Sequence, residues 1–218
     1  MARVVFISSA GSGNCYMWVG GLKTRRATHT VYETAGSPAS TASPAAPSSS
    51  AAPTGYFEVI SSRSASPIHL LSLQARGGKF YLGGGGPSSY CPTSIDPSAC
   101  PAGNTTVLAG GDGALSLGVV VPGGQQVYVA PDGSLSYTTA HSASKPEGAI
   151  VDGFSRTAPS DGNAFGNLNF EDGFVACDAG EGQGWQVYGQ VEGAATDDDC
   201  LGFSALTVAV DDAGAWQY

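Results

Sequence analysis

The chain has 218 residues, which is enough for one domain, or for one domain and a tail. Hydrophobic residues make up 42% of it and predict a folded core, whereas charged residues make up only 12%. Residues 54–218 carry five basic against seventeen acidic side chains, and so acidic a surface repels phosphate backbones. No apolar run approaches the roughly 20 residues that a membrane-spanning helix needs. The sequence therefore predicts neither a nucleic-acid partner nor a membrane span.

The first 35 residues depart from the pattern of a secretion signal. The apolar run at residues 4–7 is short, where about 7–15 residues are expected, and basic residues follow at 23–26. Two interpretations stay open for residues 1–35: an aberrant signal region that comes from a mis-called first exon, or a native, non-secretory segment. Residues 36–55 are rich in Pro, Ser and Ala, a composition that predicts a disordered linker. The folded domain is predicted over residues 56–218.

Short apolar runs bounded by turn residues follow one another through this domain. The runs that predict strands are 56–60, 68–73, 79–82, 106–108, 115–121, 126–129, 135–137, 165–170, 173–177, 185–191 and 206–210. The stretch 113–142 is the clearest, because Pro-Gly-Gly and Pro-Asp-Gly separate its three runs in the manner of antiparallel hairpins. Only Cys200–Leu206 could hold a helical turn. We therefore predict an all-β fold, an antiparallel barrel or a sandwich-like meander.

A weak repeat offers an alternative fold. The pair Asp-Gly, which favours hairpin turns, recurs every twenty residues at Asp112, Asp132, Asp152 and Asp172. A further pair at Asp161 is out of step, and the aromatic residues do not recur with the same period. We therefore keep a β-trefoil-like fold as the alternative to the barrel or sandwich.

Five cysteines bear on the redox compartment. Cys91, Cys100, Cys177 and Cys200 lie in the predicted domain and allow three pairings. We favour Cys91–Cys100 with Cys177–Cys200, because each pair flanks a turn-rich loop and each bridge would stabilise the fold by about 3 kcal/mol. Zinc is the alternative, but neither CxxC spacing nor paired histidines are present. Two disulfides imply an oxidising compartment, and Cys15 is left outside this framework.

The two histidines of the domain are candidates for acid–base or metal chemistry. His69 lies among apolar residues of a predicted strand and His141 lies in a Ser-rich loop, where a hydrogen-bonded structural role is commoner. A triad of Ser66, His141 and Asp152 can be drawn on paper, but there is no GxSxG nucleophile elbow. Asp197-Asp198-Asp199 lacks the spacing of a calcium loop. We therefore predict no catalytic residue, no metal site and no cofactor.

The aromatic residues suggest binding more than catalysis. Exposed aromatic rings bind sugars, although packing in the core is the commoner role of Tyr and Trp in β proteins. The residues concerned are Tyr81, Tyr90, Tyr128, Tyr137, Trp185 and Tyr188. As a candidate ligand-binding or structural polar cluster we single out Arg63, His69, His141, Trp185 and Tyr188. Asn104-Thr105-Thr106 is an N-glycosylation sequon, so Asn104 is predicted to carry a glycan.

Five separated motifs resemble those of fungal phiA-type cell wall proteins. They are RSASPIH at 63–69, GGQQVYV at 123–129, AHSAS at 140–144, CLGF at 200–203 and AWQY at 215–218. The resemblance covers about residues 56–218. Members of this family are also described as IgE-binding allergens and as secreted elicitors of the hypersensitive response. They begin with an ordinary signal peptide, from which the N-terminus of this chain departs.

The resemblance implies a non-catalytic fungal β-protein that is secreted or associated with the cell wall. It implies a structural or interaction role in the wall or in spore-forming cells (conidiation), with possible recognition by a host. The expected partners are cell wall polysaccharide or wall proteins, and a host receptor or antibody; the expected state is a monomer. A carbohydrate-binding module for wall polysaccharide is the alternative function, and a hydrolase is the less favoured one.

Overall fold

The computed structural model describes residues 55–160 and 162–218, which belong to the second of two compact units, Pro47–Tyr218. The predictions for residues 1–35 and for the linker up to residue 54 lie outside the described residues. The described elements are β1 (Tyr56–Ser62), β2 (Leu73–Arg76), β3 (Lys79–Leu82), a 3-10 helix (Pro97–Ala99), β4 (Leu108–Leu117), β5 (Val127–Val129), β6 (Leu135–Tyr137), β7 (Phe154–Thr157), β8 (Gly166–Phe170), β9 (Phe174–Asp178), β10 (Trp185–Gly189) and β11 (Leu201–Val210). In this part of the chain, no helix is long and apolar enough to cross a bilayer.

All strand pairs are antiparallel, and the strands join in the order β1-β4-β7-β8-β11-β9-β10-β3-β6-β5, with β2 beside β3. Because β1 also pairs with β11, the strands β1, β4, β7, β8 and β11 follow one another round a ring. The other strands continue from β11, so the sheet as a whole is a curled half-barrel. The prediction of an all-β, antiparallel, barrel-like fold is confirmed. The described strands show no three-fold repeat, so the trefoil alternative does not describe this fold.

Strand β11 joins the two parts of the sheet. Its first three residues pair with β9, and the rest pairs with β1 on one side and with β8 on the other. Ala205 and Thr207 are buried, and Phe203 stacks on Phe174 with 6.1 Å between the ring centroids. Residues 203, 205 and 207 thus share one face, as the period of two in a strand requires. The expectation of a helical turn at Cys200–Leu206 is therefore wrong, because neighbouring strands take up the backbone hydrogen bonds of this segment.

In strands such as β1, β3, β7 and β8 the core lies on one face, whereas all three residues of β6 are buried. In β1, for example, Phe57 and Val59 are buried, whereas the residues between them are half-buried on the opposite face. Aromatic rings fill much of the interior, and the rings of Phe154 and Phe170 lie 4.9 Å apart. The largest fully buried apolar side chains are Phe57, Phe80, Phe154, Phe170, Ile68, Leu82, Leu108, Leu115 and Leu135.

Tight turns form at two places where the sequence predicts them. Gly77 and Gly78 have φ of 53° and 80° and close a two-residue hairpin between β2 and β3. Positive φ at both central residues is what such a hairpin turn requires, and glycine adopts it without strain. Pro131-Asp132-Gly133 turns β5 into β6, so that Val129 pairs with Leu135.

Other expectations about turns and strands are wrong. Asp112-Gly113 lies inside β4, and Asp172-Gly173 connects β8 to β9, which are not neighbours because β11 lies between them. The predicted strand 68–73 begins only at Leu73. Residues 67–70 instead form turns, in which the Leu70 backbone has φ of 60°. The buried hydroxyl of Ser61 holds this segment by donating to the carbonyl oxygens of Ile68 and Leu71.

Strand β4 changes partner along its length. Leu108 and Ala109 pair with β1, whereas Asp112 and Gly113 pair with β7. Between them, Gly110 and Gly111 have φ of 100° and 96°, a conformation that residues with a side chain avoid. Glycine inside a strand marks such a bend. The strand consequently begins and ends earlier than the run 115–121 that its alternation predicts.

Both disulfides of the favoured pairing are present. Cys91–Cys100 closes the loop that contains the 3-10 helix, with Cα atoms 6.2 Å apart. Cys177–Cys200 joins β9 to the start of β11, with Cα atoms 4.3 Å apart. The second bridge therefore ties the strand that joins the two parts of the sheet to its neighbour on one side.

The change Gly111→Ala should destabilise the fold by about 3 kcal/mol, because it combines backbone strain with overpacking. A Cβ at this position would lie 2.5 Å from the Cβ of Arg156. Gly123→Ala is the matched control, since Gly123 also has positive φ (86°) but nothing within 4 Å of its Cβ position. The control should lose only about 1 kcal/mol. Urea unfolding measures both, and equal losses would contradict the close approach at Gly111.

Candidate functional site

The outer face of the second part of the sheet carries half-buried tyrosines. Tyr81 of β3 lies between the buried Phe80 and Leu82, and Tyr188 of β10 lies between the buried Val187 and Gly189. Both tyrosines therefore point away from the core. The register pairs Gln186 with Tyr81, which makes Tyr188 the diagonal neighbour of Tyr81 on this face. We call this surface the tyrosine face; it consists of Lys79, Tyr81, Tyr128, Gln186 and Tyr188.

An arginine fixes one end of the tyrosine face. The Arg76 guanidinium lies 4.5 Å from the ring centroid of Tyr81, within the range of a cation–π contact. The same guanidinium donates to the carbonyl oxygen of Gly84 and, at 2.6 Å, to that of Gln183. Arg76 thereby joins the loops that follow β3 and precede β10, and it holds the Tyr81 ring in one position.

The other end of the face meets the turn between β5 and β6. Ser134 of this turn forms an isolated antiparallel β-bridge with Tyr188, and the Gly189 amide donates to the Gly133 carbonyl at 2.9 Å. Lys79 donates to the Ser134 hydroxyl, which itself donates to an oxygen of Asp132 at 2.6 Å. The second oxygen of Asp132 lies 3.9 Å from the Lys79 ammonium, so the carboxylate stands at the border of the face.

Burial and nearby acidic groups both act on the pKa of Tyr188. Burial raises the pKa of its hydroxyl, and the nearby Asp132, Tyr81 and Asp197 raise it further. The pKa of Asp132 is lowered, chiefly by the hydrogen bond from the Ser134 hydroxyl, with smaller contributions from the Ser134 backbone and from Lys79. Asp132 therefore remains ionised in mildly acidic medium, although its side chain is about half exposed.

Arg63 and His69, two members of the predicted polar cluster, lie side by side. The Arg63 backbone amide donates to Nδ1 of His69 at 3.3 Å, and the Arg63 guanidinium donates to the Gly202 carbonyl at 2.7 Å. Both side chains are exposed. The contacts of Arg63 tie the turn after β1 to β11, which is a structural role.

The register does not bring the five predicted residues together. Trp185 shares the face of the core with Val187 and packs against it, whereas Tyr188 lies on the outer face of the same strand. His141 is exposed in the segment after β6, where its backbone has φ of 62°. Of the predicted aromatic residues, Tyr137 is buried in the core and stacks edge-on against Phe80. The tyrosine face therefore replaces the predicted cluster as the candidate site.

An open cleft of about 750 Å³ lies elsewhere, beside the Cys91–Cys100 loop. Glu58, Asp211 and Asp212 give it an acidic lining, and no residue of the tyrosine face contributes to it. Asn104 lies at this cleft and is exposed, as a glycosylated asparagine must be. The described residues contain no group of three or more His, Cys, Asp or Glu side chains that could hold a metal ion.

The C-terminal Tyr218 is anchored beside the cleft. The buried amide of Gln125 accepts from the Tyr218 backbone N–H at 2.8 Å and donates to its carbonyl at 2.8 Å. The phenol of Tyr218 donates to the Thr105 carbonyl at 2.6 Å and accepts from the Val107 amide at 3.2 Å. Burial raises the pKa of Tyr218 to about 12.

Sequence reasoning did not group Arg76, Lys79 and Asp132 with the tyrosines. Part of the signal was present, because the alternation in Lys79-Phe80-Tyr81-Leu82 places Lys79 and Tyr81 on one face. The rest depends on β10 lying beside β3, a pairing across about a hundred residues that no local pattern encodes.

Comparison with known proteins places the chain in a family. A family model described as PhiA-like secreted protein matches residues 57–218. The chain belongs to this family. One curated relative, an uncharacterized secreted protein of Arthroderma benhamiae, is 37% identical over 138 residues, which are 58% of this chain and 64% of the relative. The chain thus spans less than two thirds of that relative's length. No solved structure matches.

The family match confirms the resemblance that the five motifs indicate. Both the family and the relative are described as secreted, and the relative is fungal, so the protein is a secreted fungal protein. An extracellular location agrees with the two disulfides, which persist in oxidising surroundings.

Alkaline pH should weaken the fold through Tyr218. Its pKa is about 12 in the folded state, against about 10 for an unperturbed tyrosine. Because the folded pKa is the higher one, this stabilisation is complete below pH about 10 and is lost as the pH rises towards 12. The free energy of unfolding from urea titrations should fall by up to about 2 kcal/mol more in the wild type than in Tyr218→Phe. Parallel pH profiles would contradict the assignment.

A single N-glycan is expected on Asn104 when a fungal host secretes the protein. The asparagine is exposed, and no other sequon occurs in the chain. Thr106 is buried, and its hydroxyl accepts from the Ala75 amide at 2.8 Å, so we expect the sequon to be modified before this segment folds. Intact mass before and after enzymatic deglycosylation should differ for the wild type but not for Asn104→Gln. An unchanged wild-type mass would refute the prediction.

Proposed function

We propose that this secreted protein is a non-catalytic component of the fungal cell wall, and that it acts by binding wall polysaccharide. The observation that carries the proposal is the tyrosine face, where aromatic rings and hydrogen-bonding side chains stand together on a rigid sheet. Such a protein would combine the structural role in the wall, which the family resemblance implies, with the carbohydrate-binding alternative.

The chemistry of the face suits a sugar chain. A pyranose ring has an apolar face of C–H groups and an edge of hydroxyl groups. Tyrosine offers a flat apolar ring with a polar tip, and the rings of Tyr81 and Tyr188 are both half-buried, so each keeps part of its surface open to a ligand. Gln186 lies opposite Tyr81 and two residues before Tyr188, and its amide both donates and accepts hydrogen bonds.

The face is also preorganised. Arg76 holds Tyr81 by stacking, and the turn at Ser134 holds the strand that carries Tyr188. Side chains fixed before binding lose less conformational entropy when a ligand arrives, which favours a binding role for this surface.

The positions of the candidate catalytic groups support a non-catalytic role. Nδ1 of His69 accepts a hydrogen bond from its own turn, as a structural histidine does. The hydroxyl of Ser66 is buried and has no hydrogen-bond partner among the described residues, so it is not activated by His141. Roles in spore-forming cells and in recognition by a host remain predictions from the family resemblance.

Pull-down with insoluble fungal glucan and chitin tests the proposal. The double variant Tyr81→Ala, Tyr188→Ala should lose most of the bound fraction, since each ring that stacks on a sugar contributes about 1 kcal/mol or more. Tyr90→Ala is the matched control: Tyr90 is 55% exposed and lies away from the face, paired with Gln217. Circular dichroism and urea unfolding confirm that each variant is folded.

Two results would count against the proposal. If the wild type binds none of the wall polysaccharides, the binding function is wrong. If Tyr90→Ala loses as much binding as the double variant, the polysaccharide is held by another surface.

A further inference from the structure

The tyrosine face is bordered by carboxylates that its fold does not fully neutralise. We propose that it selects amino sugars with a free, protonated amino group, as in deacetylated chitin, over neutral sugars. The inference rests on the proposed function, because it names the class of polysaccharide that the same surface would take. The carboxylates that carry it are those of Asp132 and Asp197.

Asp132 is positioned by the turn between β5 and β6. Its carboxylate accepts from the backbone N–H of Ser134 at 3.0 Å and from the Ser134 hydroxyl at 2.6 Å. These bonds engage one of its two oxygens; the other faces Lys79 at 3.9 Å, and the side chain is 53% exposed. An exposed ion pair at this distance is weak, so Asp132 keeps most of its capacity to attract a second cation.

Asp197 belongs to the loop that connects β10 to β11, which docks on the same turn. The Ala195 amide donates to the Asp132 carbonyl at 2.8 Å, which docks this loop on the turn. Two residues further on, Asp197 is exposed, and one of its oxygens accepts from the Asp199 amide at 3.2 Å. The Cys177–Cys200 disulfide fixes the end of the loop on β9. Contacts at both ends therefore hold the segment that carries Asp197 against the turn that is bridged to Tyr188. The Asp197 carboxylate is close enough to contribute to the raised pKa of the Tyr188 hydroxyl.

The two carboxylates and the ring of Tyr188 form a setting for an ammonium group. An ammonium is attracted both to carboxylates and to the face of an aromatic ring. Lys79 supplies one positive charge on this side, whereas Asp198 and Asp199 add further negative charge to the loop. Arg76 is engaged at the far side of Tyr81 by two carbonyl oxygens. The balance of charge at Tyr188 is therefore negative and matches a cationic sugar.

The test compares two hexasaccharides that differ only in their acetyl groups. Titration calorimetry at low salt and mildly acidic pH should show that a glucosamine hexamer binds about five-fold more tightly than an N-acetylglucosamine hexamer, the ratio expected for about 1 kcal/mol from one exposed charge pair. Asp197→Asn should lower this ratio, with Asp132 left as the remaining carboxylate, and should leave the affinity for the acetylated hexamer unchanged. The amide can still accept from Asp199, so the loop should keep its fold.

Asp211→Asn is the control for non-specific attraction, because Asp211 is equally exposed but lines the separate cleft. The five-fold ratio should survive in this variant. If Asp211→Asn lowers the ratio as much as Asp197→Asn does, the overall acidic charge attracts the cationic sugar and the inference is wrong. Equal affinity of the wild type for the two hexamers would also overturn it, yet would leave the proposed function standing. Failure to bind any wall polysaccharide would overturn both.

Discussion

The pairing of β11 with three other strands is the constraint on which the rest of the structure depends. Its second half lies between β1 and β8, and its first residues lie against β9. A strand shared in this way makes two parts of the sheet into one, and the Cys177–Cys200 bridge fixes its start. Every later strand in the order, including β10 and β3 with the two tyrosines, takes its place relative to β11.

Alternation along the strands then converts this order into two different surfaces. Phe80, Leu82 and Val187 point inward and are buried. The residues that alternate with them along β3 and β10 must therefore point outward. A one-residue slip of β10 against β3 would turn Tyr188 into the core and expose Val187. The hydrophobic core therefore specifies the position of the tyrosine face, although the face itself contributes little to the core.

The sequence predicts this fold where local chemistry decides it, as at the Gly77-Gly78 hairpin and in the strand that begins at Tyr56. The sequence misleads where contacts with residues outside the local segment decide its structure. Leu70 belongs to an apolar run that predicts a strand, but the hydroxyl of Ser61 bonds to the carbonyl oxygens of Ile68 and Leu71 and fixes turns instead. The predicted cluster fails for a local reason, because Trp185 and Tyr188 stand three residues apart on one strand and alternation places them on opposite faces. The tyrosine face itself depends on the pairing of β10 with β3, which no local pattern encodes.

The two loops at Tyr188 show how a rigid framework and an acidic composition combine. The net charge of −9 is a property of the whole chain and would attract any cation weakly and without position. The Ser134 turn and the contact between Ala195 and the Asp132 carbonyl place two of these charges on segments that meet at Tyr188. A charge that is held at one point attracts most strongly a ligand whose own charge lies opposite it. A fixed position therefore converts a diffuse attraction into selectivity. Under the proposed selectivity, the disulfide and the hydrogen bonds of these loops would act on recognition as well as on stability.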